Sequence, residues 1–562
     1  MKYIHYFGTE AAYNQERNNN YIEPWISYTE GKGIDYNKSE EVYFKMPFTV
    51  EILESGEISW NLGELTVEYS KNSGPWTTMD SETSISVVQG DEVAFMGINN
   101  MYSYIDSDEG EYMPYSFRCS ARFNAKGNIM SLTDGDNFER ATSVDDYAFY
   151  KLFWSNTEED EDPVPIVSAE HLILPVRSIS TGCYDSMFMS CTYLLYPPKL
   201  PATVLYDYCY QCMFQGCSSL LAAPKLPATA LADSCYAFMF YDCVSLERAP
   251  RLLAATLENS CYSYMFSGCT SLSEAPNLPA TSLAQSCYSS MFSGCTSLTS
   301  APELPATSLA QSCYANMFSG CTNLASAPEL SATTLAQSCY SHMFSGCTSL
   351  TSAPELSATT LYTSCYYSMF KGCISLTEAP ELPATSLAQS CYSNMFFDCT
   401  GLTEAPELSA TTLAQSCYAN MFSGCTGLTE APELSATSLA QACYQGMFFG
   451  CTSLTSAPEL PATTLATYCY SGMFSGCSNL TTAPELPAIT LLSNCYKNMF
   501  FNCSALNYIK AMFTTKPSRT YTDNWVFGVA STGTFVKNSA ATWTTTGTNA
   551  IPTGWTVQTV SA

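Results

Sequence analysis

The chain has 562 residues, 46% of them hydrophobic, so it has ample material for a core and is too long for one ordinary globular domain. Its 22 basic against 51 acidic side chains leave a formal charge of -29, which repels nucleic-acid phosphate and anionic membrane surfaces and argues against both as partners. No apolar run reaches the roughly 18 residues that span a bilayer. The opening MKYIHYFGTEAAYNQERNNN lacks the apolar stretch of a secretory signal, so the sequence as written reads as soluble and not exported by that route.

Residues 1–40 are polar and tyrosine-rich without a clear period, and read as an extended arm, either a docking segment that orders on a larger assembly or a disordered tail. From 41 to 166 short alternating runs (FTVEIL, LTVEYS, SISVVQ, EVAFMG) are separated by turn residues, which predicts an all-β sandwich. The acidic run TEEDEDP (157–163) reads as a linker or a solvated loop.

A repeat then takes over. The string CYxxMFxxC recurs thirteen times at intervals of 26, its first cysteine running from Cys183 and Cys209 to Cys469 and Cys495, its second from Cys191 to Cys503. An unbroken period of this length predicts a solenoid over 167–508, each unit stacked on the last in one register. In one unit, Cys287, Tyr288, Met291, Phe292 and Cys295 fall on one stripe of a short helix, which Gly294 helps to stop. The following LTSAPELPAT, with Pro302 and Pro305, suits a short extended segment rather than a central strand. The expected unit is therefore helix, turn, strand, turn, giving an α/β array roughly 60 Å long at the strand spacing of about 5 Å.

The repeat accounts for 26 of the 28 cysteines, leaving Cys119 and Cys212. Zinc would need close pairs or histidine partners, yet the intervals alternate 8 and 18 and only His5, His171 and His342 exist. Eight helical residues, about 12 Å, are too many for a disulfide within a unit. The cysteines are expected to be small, buried, reduced residues stacked in ladders. Beyond Cys503 the pattern degenerates, and Trp525, Trp543 and Trp555 occur in 509–562, which reads as an aromatic-rich cap over the last unit's raw apolar face, with a ligand-binding aromatic patch as the alternative.

Signals for catalysis are weak. No histidine recurs beside a candidate nucleophile, and no phosphate-binding loop or dinucleotide fingerprint is present. Carboxylate pairs alone can serve a glycosidase, but these acids recur identically where an active site needs unique geometry. No catalytic residue and no cofactor is assigned. One polar column, sixteen residues after each first cysteine, holds Lys199, Lys225, Arg251 and Asn277, then Glu303, Glu329, Glu355, Glu381, Glu407, Glu433, Glu459 and Glu485. These glutamates form the expected binding surface or a solvated face that limits aggregation. Three units add a second acid, so Glu378/Glu381, Glu404/Glu407 and Glu430/Glu433 are a candidate calcium site. The pair between Tyr288 and Met291 varies from unit to unit (SS, AN, SH, YS, SN, AN, QG) and is expected to point outward, His342 with it.

The MFxGCxxLxxAPxLPxT rhythm resembles the BspA-like leucine-rich repeats of Bacteroidetes and treponemes. Met291 and Phe292 stand where that family has Ala-Phe, Cys295 matches its cysteine and Leu298 its leucine, in a unit three residues longer than the family's usual 23. The resemblance covers 167–508, and it implies a leucine-rich-repeat fold in a family that includes surface adhesins. The segments YIEPWISYTEGKGIDYN (21–37), SKNSGPWTTM (70–79), GNIMSLTDGDNF (127–138) and TDNWVFGVASTGTFVKNSAATW (522–543) resemble tail or fibre proteins of gut Bacteroides phages and prophages. That resemblance implies a virion protein assembled in the host cytoplasm and acting outside it. Its expected partners are host-cell glycan or protein, and other virion proteins through the N-terminal arm, with a homo-oligomer also open. The alternatives are a bacterial surface or secreted adhesin that binds host matrix proteins, and a polysaccharide-degrading tail enzyme.

Overall fold

A computed structural model describes residues 38–106, 112–154 and 163–561. The arm from 1 to 37 and the acidic residues 157–162 therefore lie outside the described residues. After one short helix the strands follow, as expected from the alternating runs. A six-stranded sheet and a three-stranded sheet between Thr49 and Ile173 face each other across a shared aromatic core and form no closed barrel. Trp60 of the smaller sheet packs on Phe95 of the larger at 5.6 Å and on Phe117 at 5.2 Å, and all three are buried. Pairing is antiparallel except at one edge, where β11 (Ile166–Ile173) runs parallel to β10 (Phe123–Asn128). The far side of β11 pairs with the first repeat, since the Leu195 amide donates to Val167 O at 2.9 Å and the Ala169 amide to Tyr196 O at 2.8 Å. Strand pairing thus passes directly from the sheets into the repeats.

The expected short helix of each repeat is absent, which corrects the α/β reading. Among the described residues α-helix is confined to α1 (Lys38–Phe44), α2 (Ser131–Asp134) and α3 (Arg519–Thr522), all outside the CYxxMFxxC segments. Those segments are ribbons of successive β-turns with a period of four residues. In one unit the amides of Cys287, Ser289, Met291, Ser293 and Cys295 each donate to the carbonyl three residues back. The even-numbered amides between them, Ser286, Tyr288, Ser290, Phe292 and Gly294, donate instead to Gln311, Cys313, Ala315, Met317 and Ser319 of the next unit at 2.7–3.0 Å. Every main-chain donor in the ribbon is satisfied, half within the unit and half by its neighbour.

The geometry requires a left-handed residue at every fourth position: φ is 54° at Ser286, 54° at Ser290 and 74° at Gly294. A right-handed helix cannot contain such residues, because each left-handed L-residue costs about 1–2 kcal/mol and breaks the helical bond pattern. The sequence supplies side chains that tolerate the conformation, such as Asn316, Asn394 and Asn420 at the second site and glycine, Asp242, Asp398 or Asn502 at the third. A four-residue period also explains the apolar stripe: Cys287, Met291 and Cys295 return to one line, and Tyr288 and Phe292 to a second.

Stacking repeats turns these lines into ladders. Tyr184 to Tyr496 form a column with ring centroids 5.8–6.0 Å apart. Phe188 to Phe500 form a second at 5.6–5.8 Å. Burial of each such ring contributes roughly 1.5–3 kcal/mol. The second cysteine of each repeat donates its thiol hydrogen to the phenylalanine carbonyl of the preceding one, as from Cys295 Sγ to Phe266 O at 3.1 Å. All 28 cysteines are free and only Cys212 is even half-exposed. Burial pushes these thiols up, Cys287 and Cys347 to about 12, which keeps them protonated and unreactive.

The ladders do not stop at the boundaries expected from the sequence, 166/167 and 508/509. Residues 147–154 already form a ribbon, left-handed at Tyr147 and Lys151, with Phe149 stacked on Tyr184 at 5.7 Å and Phe153 on Phe188 at 5.2 Å. Phe153 also packs on Phe48 and Phe117, so the aromatic column and the sheet core are continuous. At the other end the amides of Tyr496, Asn498 and Phe500 donate to Tyr521, Asp523 and Trp525. Three parallel strands, β12 (Tyr508–Ala511), β13 (Thr534–Asn538) and β14 (Thr556–Val560), continue the stack. Trp525, Trp543 and Trp555 are buried there, the first two against Phe513 and Phe535, while Trp555 Nε1 donates to Ala530 O at 2.7 Å. No helix of the described residues is long and apolar enough to cross a membrane.

Two substitutions probe this geometry. Asn316→Val places a β-branched residue at φ 55° and should cost about 1–2 kcal/mol, while Asn316→Gly should stay within about 0.5 kcal/mol, both read from urea midpoints. Asp185, where the first ribbon meets the first CYxxMFxxC repeat, has its carboxyl raised by burial to about 7, against the opposing effects of the Ser186 hydroxyl and the Lys151 charge. Between the ordinary value of 3.8 and about 7 the folded chain holds a proton that the unfolded chain releases, so stability falls as pH rises through that window. Asp185→Asn should remove that component, whose slope is at most about 1.4 kcal/mol per pH unit, in denaturation curves compared across the window.

Candidate binding surface

The segment after each ribbon is extended, with inward and outward residues alternating. In one repeat Leu304 and Ala306 are buried while Glu303, Pro305 and Thr307 are exposed. The prolines keep it from joining a continuous sheet, and neighbours meet only through single parallel bridges such as Ser300 with Ser326 and Ser308 with Thr334. The buried leucine fixes the direction of the glutamate beside it, so the glutamate column stands along one exposed edge. Glu303, Glu329, Glu355, Glu381, Glu407, Glu433, Glu459 and Glu485 are all exposed.

The last of these is not solitary: Glu485 accepts from Lys510 Nζ at 2.9 Å, an ion pair that sequence spacing did not reveal because Lys510 lies in the degenerate final repeat. At the basic beginning, Lys199 pairs with Glu40 of α1, and Tyr43 of the same helix stacks on His171 at 4.4 Å. The basic column is therefore partly an anchor for the segment that precedes the sheets.

The paired acids Glu378, Glu404 and Glu430 are exposed on the same edge, and Glu378 bridges Glu404 through the main chain. Together with Glu381, Glu407 and Glu433 they form two parallel rows. Among the described residues no three His, Cys, Asp or Glu side chains gather where they could hold a metal ion.

The variable pair is less exposed than expected. Its second residue is left-handed in every repeat, for example Ser290, Asn316, His342, Ser368 and Asn394. Ser290 and Ser368 are buried, and His342 is half-buried, edge-on to Tyr367 at 5.1 Å with Ser341 Oγ 3.0 Å from Nδ1. Burial, and then Lys371, hold the His342 imidazole below its usual pKa. Backbone tolerance thus selects much of the variation at this position.

Other features of the surface lie where repeats depart from their own consensus. A shallow groove of about 720 Å³ opens between Glu274, Asn277 and Pro279 on one repeat and Ser300, Glu303 and Pro305 on the next, where the column changes from basic to acidic. Tyr196, Leu221, Arg248 and Leu253 are exposed in early repeats at positions that later ones fill mostly with Ser, Thr, Glu or Pro. On the ribbon side Phe449 is exposed, Phe501 stacks on Phe527 at 5.0 Å and Lys371 lies 5.1 Å over Phe397. Aligning the repeats column by column would have picked out each of these.

The family described as BspA type Leucine rich repeat region (6 copies) matches residues 181–325, 234–368, 311–447 and 407–522. No curated protein and no solved structure matches the chain.

Replacing all six paired glutamates by glutamine should leave the fold intact and raise the melting temperature slightly at low salt, because like charges about 5 Å apart repel by about 1 kcal/mol or less. The gain should vanish near 1 M salt, and calcium should shift neither protein. A calcium-dependent rise in the wild type that the variant loses would instead establish a metal role.

Proposed function

Since the chain belongs to the BspA-type leucine-rich repeat family, we propose that it is a non-enzymatic binding protein of the adhesin type, its repeats forming one solenoid of thirteen full units. The exposed edge carries this reading. It offers the same outward positions again and again at the repeat spacing, a layout suited to a partner that is itself repetitive, because many weak contacts multiply when held together. A catalytic centre, by contrast, needs unique geometry.

In its specific form the proposal is a virion tail or fibre protein of a Bacteroides-type phage, which assembles in the host cytoplasm and binds cell-surface glycan or protein outside it. The N-terminal arm would attach it to other virion proteins. This form rests on the resemblance of residues 21–37, 70–79, 127–138 and 522–543 to such proteins. A second reading, a bacterial surface adhesin directed at matrix protein, draws on the family membership itself. On either reading the column from Glu303 to Glu485 is the proposed contact surface, with the groove at Asn277 marking its start.

Binding of the labelled chain to intact Bacteroides cells, before and after periodate oxidation of their glycans, tests the proposal. Saturable binding lost on oxidation is expected. Binding that survives oxidation would redirect the search to a protein receptor, and no binding to any strain would contradict an adhesin role.

A further inference from the structure

The two ends of the stack are built differently. At the start, β11 is covered by β10 and the whole six-stranded sheet. At the other end β14 is the outermost strand, paired with β13 alone among the described residues, and Thr556, Val557, Gln558 and Thr559 are all exposed. The Thr556 amide donates to Gly533 O at 2.9 Å and Val560 O accepts from the Ser539 amide at 2.8 Å, so the main chain of residues 556, 558 and 560 faces β13. In a parallel ladder the alternate residues then turn their N–H and C=O groups outward, here Val557 and Thr559.

Such an edge is normally guarded by lysine, proline, a bulge or a covering loop. This one carries none of the first three. From Asn538 to Ala562 the sequence contains no Asp, Glu, Lys, Arg or His, in a chain of net charge -29. The last cation before that run is turned inward: Lys537 is buried, and its Nζ donates to Ala541 O at 3.0 Å and Trp543 O at 2.6 Å. What surrounds the edge is hydroxyl-rich and neutral, with Thr542, Thr544, Thr545 and Thr553 exposed.

We propose that this end is a self-association surface, on which β14 of one chain pairs antiparallel with β14 of a second copy across a two-fold axis to give a tail-to-tail dimer. A second copy fits because the edge strand is its own complement. Rotation about Gln558 sets Val557 against Thr559 of the copy and Thr556 against Val560, each facing the same side of the extended sheet. Val557 and Thr559 are the residues whose main-chain groups point outward, so each Val557/Thr559 pair exchanges two hydrogen bonds. Elsewhere the acidic surface repels its copy, and the run 538–562, without a charged side chain, is where two chains can approach closely. A few strand residues make a small interface, so the dimer is concentration-dependent. The inference is independent of the ligand that the glutamate edge binds.

Sedimentation velocity of the full chain over a concentration series tests it. The wild type should pass from monomer to dimer as concentration rises, with little weakening by salt. Thr559→Pro removes an outward donor without touching the bonds to β13, and should stay monomeric with an unchanged melting temperature. Gln558→Cys should give a disulfide-linked dimer under mild oxidation by diamide, because facing residues of a non-hydrogen-bonded pair lie about 4.5 Å apart at Cα, within disulfide reach. A wild type that remains monomeric throughout would overturn the proposal. So would a dimer that neither Thr559→Pro weakens nor Gln558→Cys captures, and if Thr559→Pro failed to fold the cysteine variant alone would decide.

Discussion

In each repeat ribbon the main chain divides its amides between two destinations, the odd-numbered ones to the carbonyl three residues back and the even-numbered ones to the next repeat. This division holds the array together and fixes its register. A slip by one residue would exchange the two sets, move the tyrosine and phenylalanine columns out of line and turn the extended segment over. The left-handed residue at every fourth position is the backbone condition for the division. Alternating use of the amides accounts for the serine, asparagine and glycine in each repeat more directly than any surface role.

Side-chain ladders follow from that frame. With the main chain locked at the strand-like spacing, tyrosine lies on tyrosine and phenylalanine on phenylalanine over the length of the array, and cysteine is small enough to fill the line between ribbons. Its thiol adds a hydrogen bond to a carbonyl in the preceding repeat. Several tyrosine hydroxyls, among them Tyr184, Tyr210, Tyr288 and Tyr314, are buried without a partner, a cost that is offset by ring burial. Because each repeat contacts only its neighbours, the ends must be finished by other means. Sheets joined through β11 cover one end and three tryptophans fill the other.

The period, the buried cysteines, the extended proline segment and the exposed glutamate column were legible in the sequence, since each follows from residue type at a fixed spacing. The ribbon resembles a helix in sequence for a definite reason. Apolar residues at i, i+1, i+4, i+5 and i+8 satisfy both a helix and a four-residue turn ribbon, and only the left-handed positions separate the two. Ser286, Ser290 and Gly294 carry that signal, but Gly294 suits a helix stop equally well. The earlier ribbon at Ala148-Phe149-Tyr150-Lys151-Leu152-Phe153 repeats the CYxxMF pattern without its cysteine, and lies 35 residues upstream instead of 26. The final ribbon at Tyr521–Gly528 lost both cysteines. Of the binding surface, the column was legible, but its ion pair with Lys510 and its junction with α1 through Lys199 depend on contacts between distant segments.

Hydrogen exchange followed by mass spectrometry on ribbon peptides from the middle of the array, such as 284–298, addresses the sideways ladder directly. The odd-numbered and even-numbered amides from Ser286 to Cys295 should both exchange slowly, because each is bonded either within its repeat or to the next. Rapid exchange of the even-numbered half in the native protein would contradict the account. It would mean that side chains alone hold the repeats together.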